Sequence, residues 1–172
     1  MIDYIEGHTL LINKPLRWTS FDVVKKIRNT LRTNLQVKKI KVGHAGTLDP
    51  LADGLLIVCT GKFTKRIDEF QAQEKEYTAE FTLGATTPSF DLETEINETF
   101  DYNHITEDML ITTAKSLTGK ITQKPPIYSA IKQNGKRLYE HARKGEKVKI
   151  KNRMVRVLKF EILAVEMPKV HV

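Results

Sequence analysis

Apolar positions change period several times along the chain, and each change marks an element. Leu10-Leu11-Ile12-Asn13 is a short, mostly apolar run closed by Lys14-Pro15, which predicts a strand over residues 10–13. Ser20 then stands before Phe21 with Asp22 just behind, so a helix is expected from Phe21, capped by Ser20. Val24, Ile27 and Leu31 fall on one side of it, while Lys25, Lys26 and Arg28 point elsewhere. Gly54-Leu-Leu-Ile-Val-Cys-Thr-Gly61 is a continuous run between glycines, the pattern of a strand buried on both faces. From Lys75 to Leu83 the pattern alternates, placing Tyr77, Ala79, Phe81 and Leu83 on one face of a strand.

Residues 86–104 are polar and turn-rich. Thr106 is expected to cap a second helix whose stripe is Leu110, Ala114 and Leu117 and whose stop is Gly119. Lys124-Pro125-Pro126 breaks the chain, and Asn134-Gly135 is a hairpin signal after the segment 128–132. A short helix is expected around Arg137–Arg143, ending at Gly145, and strands from Val148 to Val172. Strands outnumber helices and often follow one another. The expectation is an α+β domain with a mixed, largely antiparallel sheet flanked by helices.

Bulk properties narrow the partners. A chain of 172 residues fits one domain. Its 28 Lys and Arg against 21 Asp and Glu leave a formal charge of +7. Such an excess concentrates phosphates near the surface and makes nucleic-acid binding salt-dependent, although a solvated lysine face has the same composition. No run approaches the ~20 apolar residues that span a bilayer, and the N-terminus has no basic-then-apolar leader pattern. Cys59 stands alone, so no disulfide forms within the chain, and a cytoplasmic setting is the simplest expectation.

Candidate chemistry concentrates in Gly43-His44-Ala-Gly46-Thr-Leu-Asp49-Pro50-Leu-Ala-Asp53-Gly54, taken as a loop. Its glycines permit unusual backbone geometry, and Pro50 confines Asp49 to extended conformations. By itself this reads better as a turn-stabilising Asp-Pro with a packed histidine. Other chemistries lack their residues. The five histidines (8, 44, 104, 141 and 171) form no HExxH pattern, and no GxxxxGK[ST], GxGxxG or GxSxG element occurs. An enzyme built on this chain uses a carboxylate and no cofactor or metal.

At this loop the sequence resembles the TruB family of tRNA pseudouridine synthases, in its stand-alone bacterial form. Three further blocks follow the family's order. Lys14-Pro15-Leu-Arg17-Trp-Thr19-Ser20-Phe-Asp22-Val-Val24 resembles its N-terminal KPxGxTSxDVV segment. Lys75-Glu-Tyr77 with Leu83-Gly84 and Thr86-Thr-Pro-Ser-Phe-Asp91 resembles the segment carrying its active-site tyrosine. Pro126-Ile-Tyr128-Ser-Ala-Ile-Lys132 and Gly135-Lys-Arg137-Leu-Tyr139 onward to Gly145 resemble the fourth. The resemblance implies the pseudouridine synthase fold, no cofactor, and isomerisation of uridine at position 55 in the tRNA T loop. It assigns Asp49 as the nucleophile, His44 and Tyr77 around a flipped base, Asp91 as electrostatic support, and Lys14 beside the catalytic loop as a further substrate-site residue. Lys38, Lys39, Lys41, Lys132, Lys136 and Arg137 are candidate contacts to the RNA backbone. The partner is the T stem-loop of tRNA, met by a monomer.

The match has departures. Arg17 stands where the family commonly has glycine, altering the turn or adding an RNA contact, and Asp53 replaces a frequent threonine. The family continues beyond residue 172 through a strand bearing an arginine, the natural cation for Asp49, and many members add a C-terminal PUA domain. Residues 1–172 are therefore expected to be the N-terminal portion of the catalytic domain, with little turnover alone. A non-catalytic RNA-binding or RNA-folding module and an RNA-guided H/ACA-type synthase are the competing readings.

Overall fold

The computed structural model describes residues 2–127, 129, 132–133, 136–138 and 150–172. The chain divides into two compact units, residues 1–75 and 76–172.

In the first unit, β1 (Thr9–Lys14) and β2 (Val42–His44) flank β3 (Gly54–Thr60), and both ladders are antiparallel. Helix α1 (Ser20–Asn34) connects β1 to β2; a 3-10 turn (Gly61–Arg66) and the short α2 (Ile67–Gln71) follow β3. Val23 and Val24 of α1 pack with Ile40, Val42, Leu56 and Val58 into one buried cluster, which Ile27, Leu31 and Leu48 border. Burying each such side chain stabilises the unit by about 1.5–3 kcal/mol before entropy is counted. The helix stripe is thus as expected, but its cap is not. Thr19 is the N-cap: its hydroxyl accepts from the Asp22 N–H, and the Asp22 carboxylate accepts from the Thr19 N–H. This reciprocal box satisfies two orphan donors and leaves the Ser20 side chain for another task.

Leu56, Val58, Cys59 and Thr60 of β3 are buried and Ile57 is half-buried, yet Leu55 is 65% exposed, as is Leu11 of β1 at 69%. The strand expected to be covered on both faces therefore leaves one face open at its start.

The second unit is built of short strands. β4 (Glu80–Thr82), β11 (Ala164–Glu166) and β12 (Lys169–His171) form a sheet in the order β11-β12-β4. β5 (Ala85–Thr86) pairs with β6 (Glu98–Thr99), and β7 (Gly119–Gln123) with β10 (Arg153–Val157). Helix α3 (Glu107–Ser116) is capped by Thr106, as expected, and buries Ala114. β8 (Lys132–Gln133) pairs with β9 (Lys136–Arg137) across residues 134–135, in the hairpin register that Asn134-Gly135 predicts. The helix expected around 137–143 falls mostly outside the described residues, and its first residue, Arg137, belongs to β9. Every described ladder is antiparallel.

The alternating segment 75–83 is shorter as a strand than its pattern predicts. Its ladder with the last strand begins only at Ala79, whose N–H and C=O both pair with Val172, so Tyr77 lies outside it.

Candidate active site

The segment expected to be a loop starts inside a sheet. Gly43 and His44 are residues of β2, opposite Cys59 and Val58, and the Ala45 N–H extends the pairing to the Ile57 carbonyl at 2.8 Å. The chain turns away at Gly46, whose φ of +108° suits glycine and few other residues. It then dips inward and out again. Leu48 borders the buried cluster, whereas the next residue, Asp49, is exposed. A residue before proline is confined to extended conformations, as Asp49 is by Pro50, and the Ala52 N–H closes a four-residue turn on the Asp49 carbonyl at 3.0 Å. The chain re-enters the sheet at Gly54, opposite Lys14.

Two contacts from the Lys14–Asp22 segment pin this arch. The Arg17 N–H donates to the Pro50 carbonyl at 2.6 Å. The Ser20 hydroxyl, 2% exposed, accepts from the Leu48 N–H at 2.9 Å and donates to the Leu48 carbonyl at 3.1 Å. Sequence reasoning missed Ser20 as part of the site because it had been given the cap. The signal was present: Thr19 followed three residues later by Asp22 is a capping-box spacing, and it releases the serine.

Lys14 stands opposite Gly54, where the arch rejoins the sheet. It is wholly buried, and its ammonium donates to the carbonyls of Pro15 (3.0 Å) and Trp18 (2.6 Å). Burial pulls its pKa below the ordinary lysine value, while the carboxylates of Asp53 and Asp49 pull the other way. Lys14 therefore braces the Pro15–Trp18 turn through its carbonyls and acts on the loop by charge. Its charge is within electrostatic reach of both Asp49 and Asp53. His44, half-buried, bonds through Nδ1 to the Gly46 carbonyl. A carbonyl only accepts, so Nδ1 carries a proton, and in the neutral ring Nε2 is the acceptor.

Lys38, Lys39 and Lys41 are all exposed on the approach to β2, with Ile40 buried between them. Lys132 and Arg137 face each other across the β8–β9 hairpin; their side chains, like that of Lys136, lie outside the described residues. Tyr77 and Asp91 belong to the second unit. Tyr77 is 62% exposed. The Asp91 carboxylate accepts from the Glu93 N–H at 2.9 Å, and its carbonyl accepts from the hydroxyls of Thr87 and Ser89. These bonds fold its loop locally. The first unit thus places Lys14 within electrostatic reach of Asp49 and puts His44 on the strand from which the same arch departs.

Among the described residues no group of three or more His, Cys, Asp or Glu could hold a metal ion. No described helix is long and apolar enough to cross a membrane.

Residues 32–172 match the family model "TruB family pseudouridylate synthase (N terminal domain)". The chain is similar to the tRNA pseudouridine synthase B of Flavobacterium johnsoniae, at 55% identity over 98% of this chain and 74% of the relative. It is also similar to that of Parabacteroides distasonis, at 54% identity over 99% of this chain and 73% of the relative. These alignments take in the Lys14–Val24 segment that precedes the family-model match. Among solved structures, a chain of a Cbf5-Nop10-Gar1 complex superposes with a TM-score of 0.65 and 27% identity, over 98% of this chain and 38% of that one. A chain of an H/ACA RNP bound to a substrate RNA containing 2'-deoxyuridine has a TM-score of 0.61 and 24% identity, and this chain spans 37% of it. The expected α+β pseudouridine synthase fold is borne out.

Proposed function

The chain belongs to the TruB family of pseudouridylate synthases, and on that footing we propose that it isomerises uridine to pseudouridine at position 55 in the T loop of tRNA. Asp49 is the nucleophile in this reading. The observation that carries it is the arch: an exposed aspartate between a half-buried leucine and a proline, pinned at Leu48 and at Pro50, within electrostatic reach of a buried lysine. A turn that merely joins two strands needs neither the inward anchor nor the cation.

The chemistry suits a carboxylate acting alone. The bond from uracil N1 to the ribose C1′ breaks, the base turns, and C5 bonds to C1′ in its place. The proton lost from C5 is balanced by one gained at N1, so no oxidant or cofactor is needed. The uridine must first leave its stack, which costs less in a loop than in a duplex. Tyr77 offers a stacking face, worth ~1–3 kcal/mol per base in comparable sites. His44 contacts the substrate from the foot of the arch, Asp91 contributes charge, and Lys38, Lys39, Lys41, Lys132, Lys136 and Arg137 follow the phosphates. The enzyme acts in the cytoplasm as a monomer; residues 1–172 are the N-terminal portion of its catalytic domain.

The test compares the full-length protein with its Asp49→Asn variant on an unmodified T stem-loop, mapping pseudouridine chemically. Loss of product with RNA binding retained is expected. Equal product from both proteins removes Asp49 from its role. Binding without product in both leaves the RNA-binding module as the function.

A further inference from the structure

The Ser20 hydroxyl spends both of its hydrogen-bonding functions on one distant residue. It accepts from the Leu48 N–H and donates to the Leu48 carbonyl, across 28 positions of sequence. A buried serine on the first turn of a helix ordinarily caps that helix or bonds back to its own backbone. Here Thr19 and Asp22 complete the cap between themselves, so helix stability gives no account of the serine. Holding both the N–H and the C=O of one residue fixes the orientations of the peptide planes on either side of it. The plane beyond Leu48 is the one that presents Asp49.

We infer that Ser20 is a positioning residue for the reaction: clamped to Leu48, it sets the direction in which Asp49 leaves the loop. Three features converge on this role. The Leu48 side chain is held at the border of the core, its main chain is held by Ser20, and Asp49 is confined by Pro50. Release of the middle restraint lets the Leu48–Asp49 peptide rotate while the turn from Asp49 to Ala52 stays closed. A displacement of about 1 Å at a reacting group is enough to cost ~100-fold in rate. Substrate affinity, supplied by contacts elsewhere, changes little.

This inference rests on Asp49 being the nucleophile, and the experiment keeps the two apart. Steady-state kinetics of the full-length protein on the T stem-loop are measured for wild type, Ser20→Ala, Thr19→Ala and Asp49→Asn. Ser20→Ala is expected to lower kcat by roughly 10- to 100-fold with KM within about twofold of wild type. Thr19→Ala, which removes the helix cap and leaves the clamp, lowers Tm and keeps kcat. Normal kcat in Ser20→Ala with an inactive Asp49→Asn overturns the positioning role alone; an active Asp49→Asn overturns the nucleophile reading beneath it. Parallel losses of kcat in Ser20→Ala and Thr19→Ala also overturn it, because weakening of the helix then explains both. Amide exchange in the wild type tests the clamp without any variant. The Leu48 amide must exchange far more slowly than that of its exposed neighbour Thr47, and equal rates refute it.

Discussion

Arg17 is a place where replacing a side chain with nothing should strengthen the protein. The Trp18 N–H closes a turn on the Pro15 carbonyl, which puts Arg17 third in a four-residue turn with φ +66°. Turns that need positive φ at this position favour glycine, because a Cβ there crowds the neighbouring carbonyl. The crowding costs about 1–2 kcal/mol. Glycine returns roughly 0.5–1 kcal/mol of that through the greater freedom of its unfolded chain. Arg17→Gly should therefore stabilise by about 0.5–1 kcal/mol, or ~1–4 °C in Tm for a chain of this size. Arg17→Ala keeps the Cβ and the strain, so its Tm should match the wild type. Both variants keep the main-chain bond from residue 17 to the Pro50 carbonyl. Urea and thermal unfolding of all three proteins, with equal m-values as the check on two-state behaviour, give the comparison. A glycine variant no more stable than the alanine variant refutes the strain argument, and with it the claim that the fold tolerates this turn only at a cost.

Two further outcomes follow from local geometry. Hydrogen bonds from the Thr19 hydroxyl and N–H hold the Asp22 carboxyl below the ordinary aspartate range. A lowered folded-state pKa stabilises above the unfolded value of about 3.9 and loses that contribution as pH falls through the folded value. Asp22→Ala should thus be less stable than wild type at pH 7, and the gap should close on acidification below the lowered pKa; a gap of constant size across that range contradicts it. Gly61, at φ +54°, follows β3, and a Cβ there lies 2.0 Å from the Ile5 carbonyl oxygen. Gly61→Ala should destabilise by about 2–5 kcal/mol in denaturant titrations, since backbone must move and the conformation is strained as well; a loss under 1 kcal/mol shows that the two segments separate easily.

What the sequence conveyed depended on the range over which each signal acts. The stripe Val24-Ile27-Leu31, the Thr106 cap and the Asn134-Gly135 hairpin are local patterns, and the structure bears them out. Failures came where partners were distant. The alternation from Lys75 to Leu83 carries no information about where the pairing partner begins, and β12 pairs only from the middle of it. Leu55 is as apolar as Leu56, yet only one of them meets the core. Ser20 could serve as a cap on local evidence, and nothing local says that Leu48 is its partner. The position of the aspartate in its motif was legible; the hydroxyl that aims it was not.

The concealment of the Lys14 ammonium has a practical consequence. An acylating reagent in water meets exposed amines at once, but it reaches this one only when β1 peels away from β3 or the Pro15–Trp18 turn opens. Modification of residue 14, followed by mass spectrometry while its surface counterparts are already saturated, becomes a clock for the opening of that strand pair. The lysine within electrostatic reach of Asp49 thereby carries its own reporter.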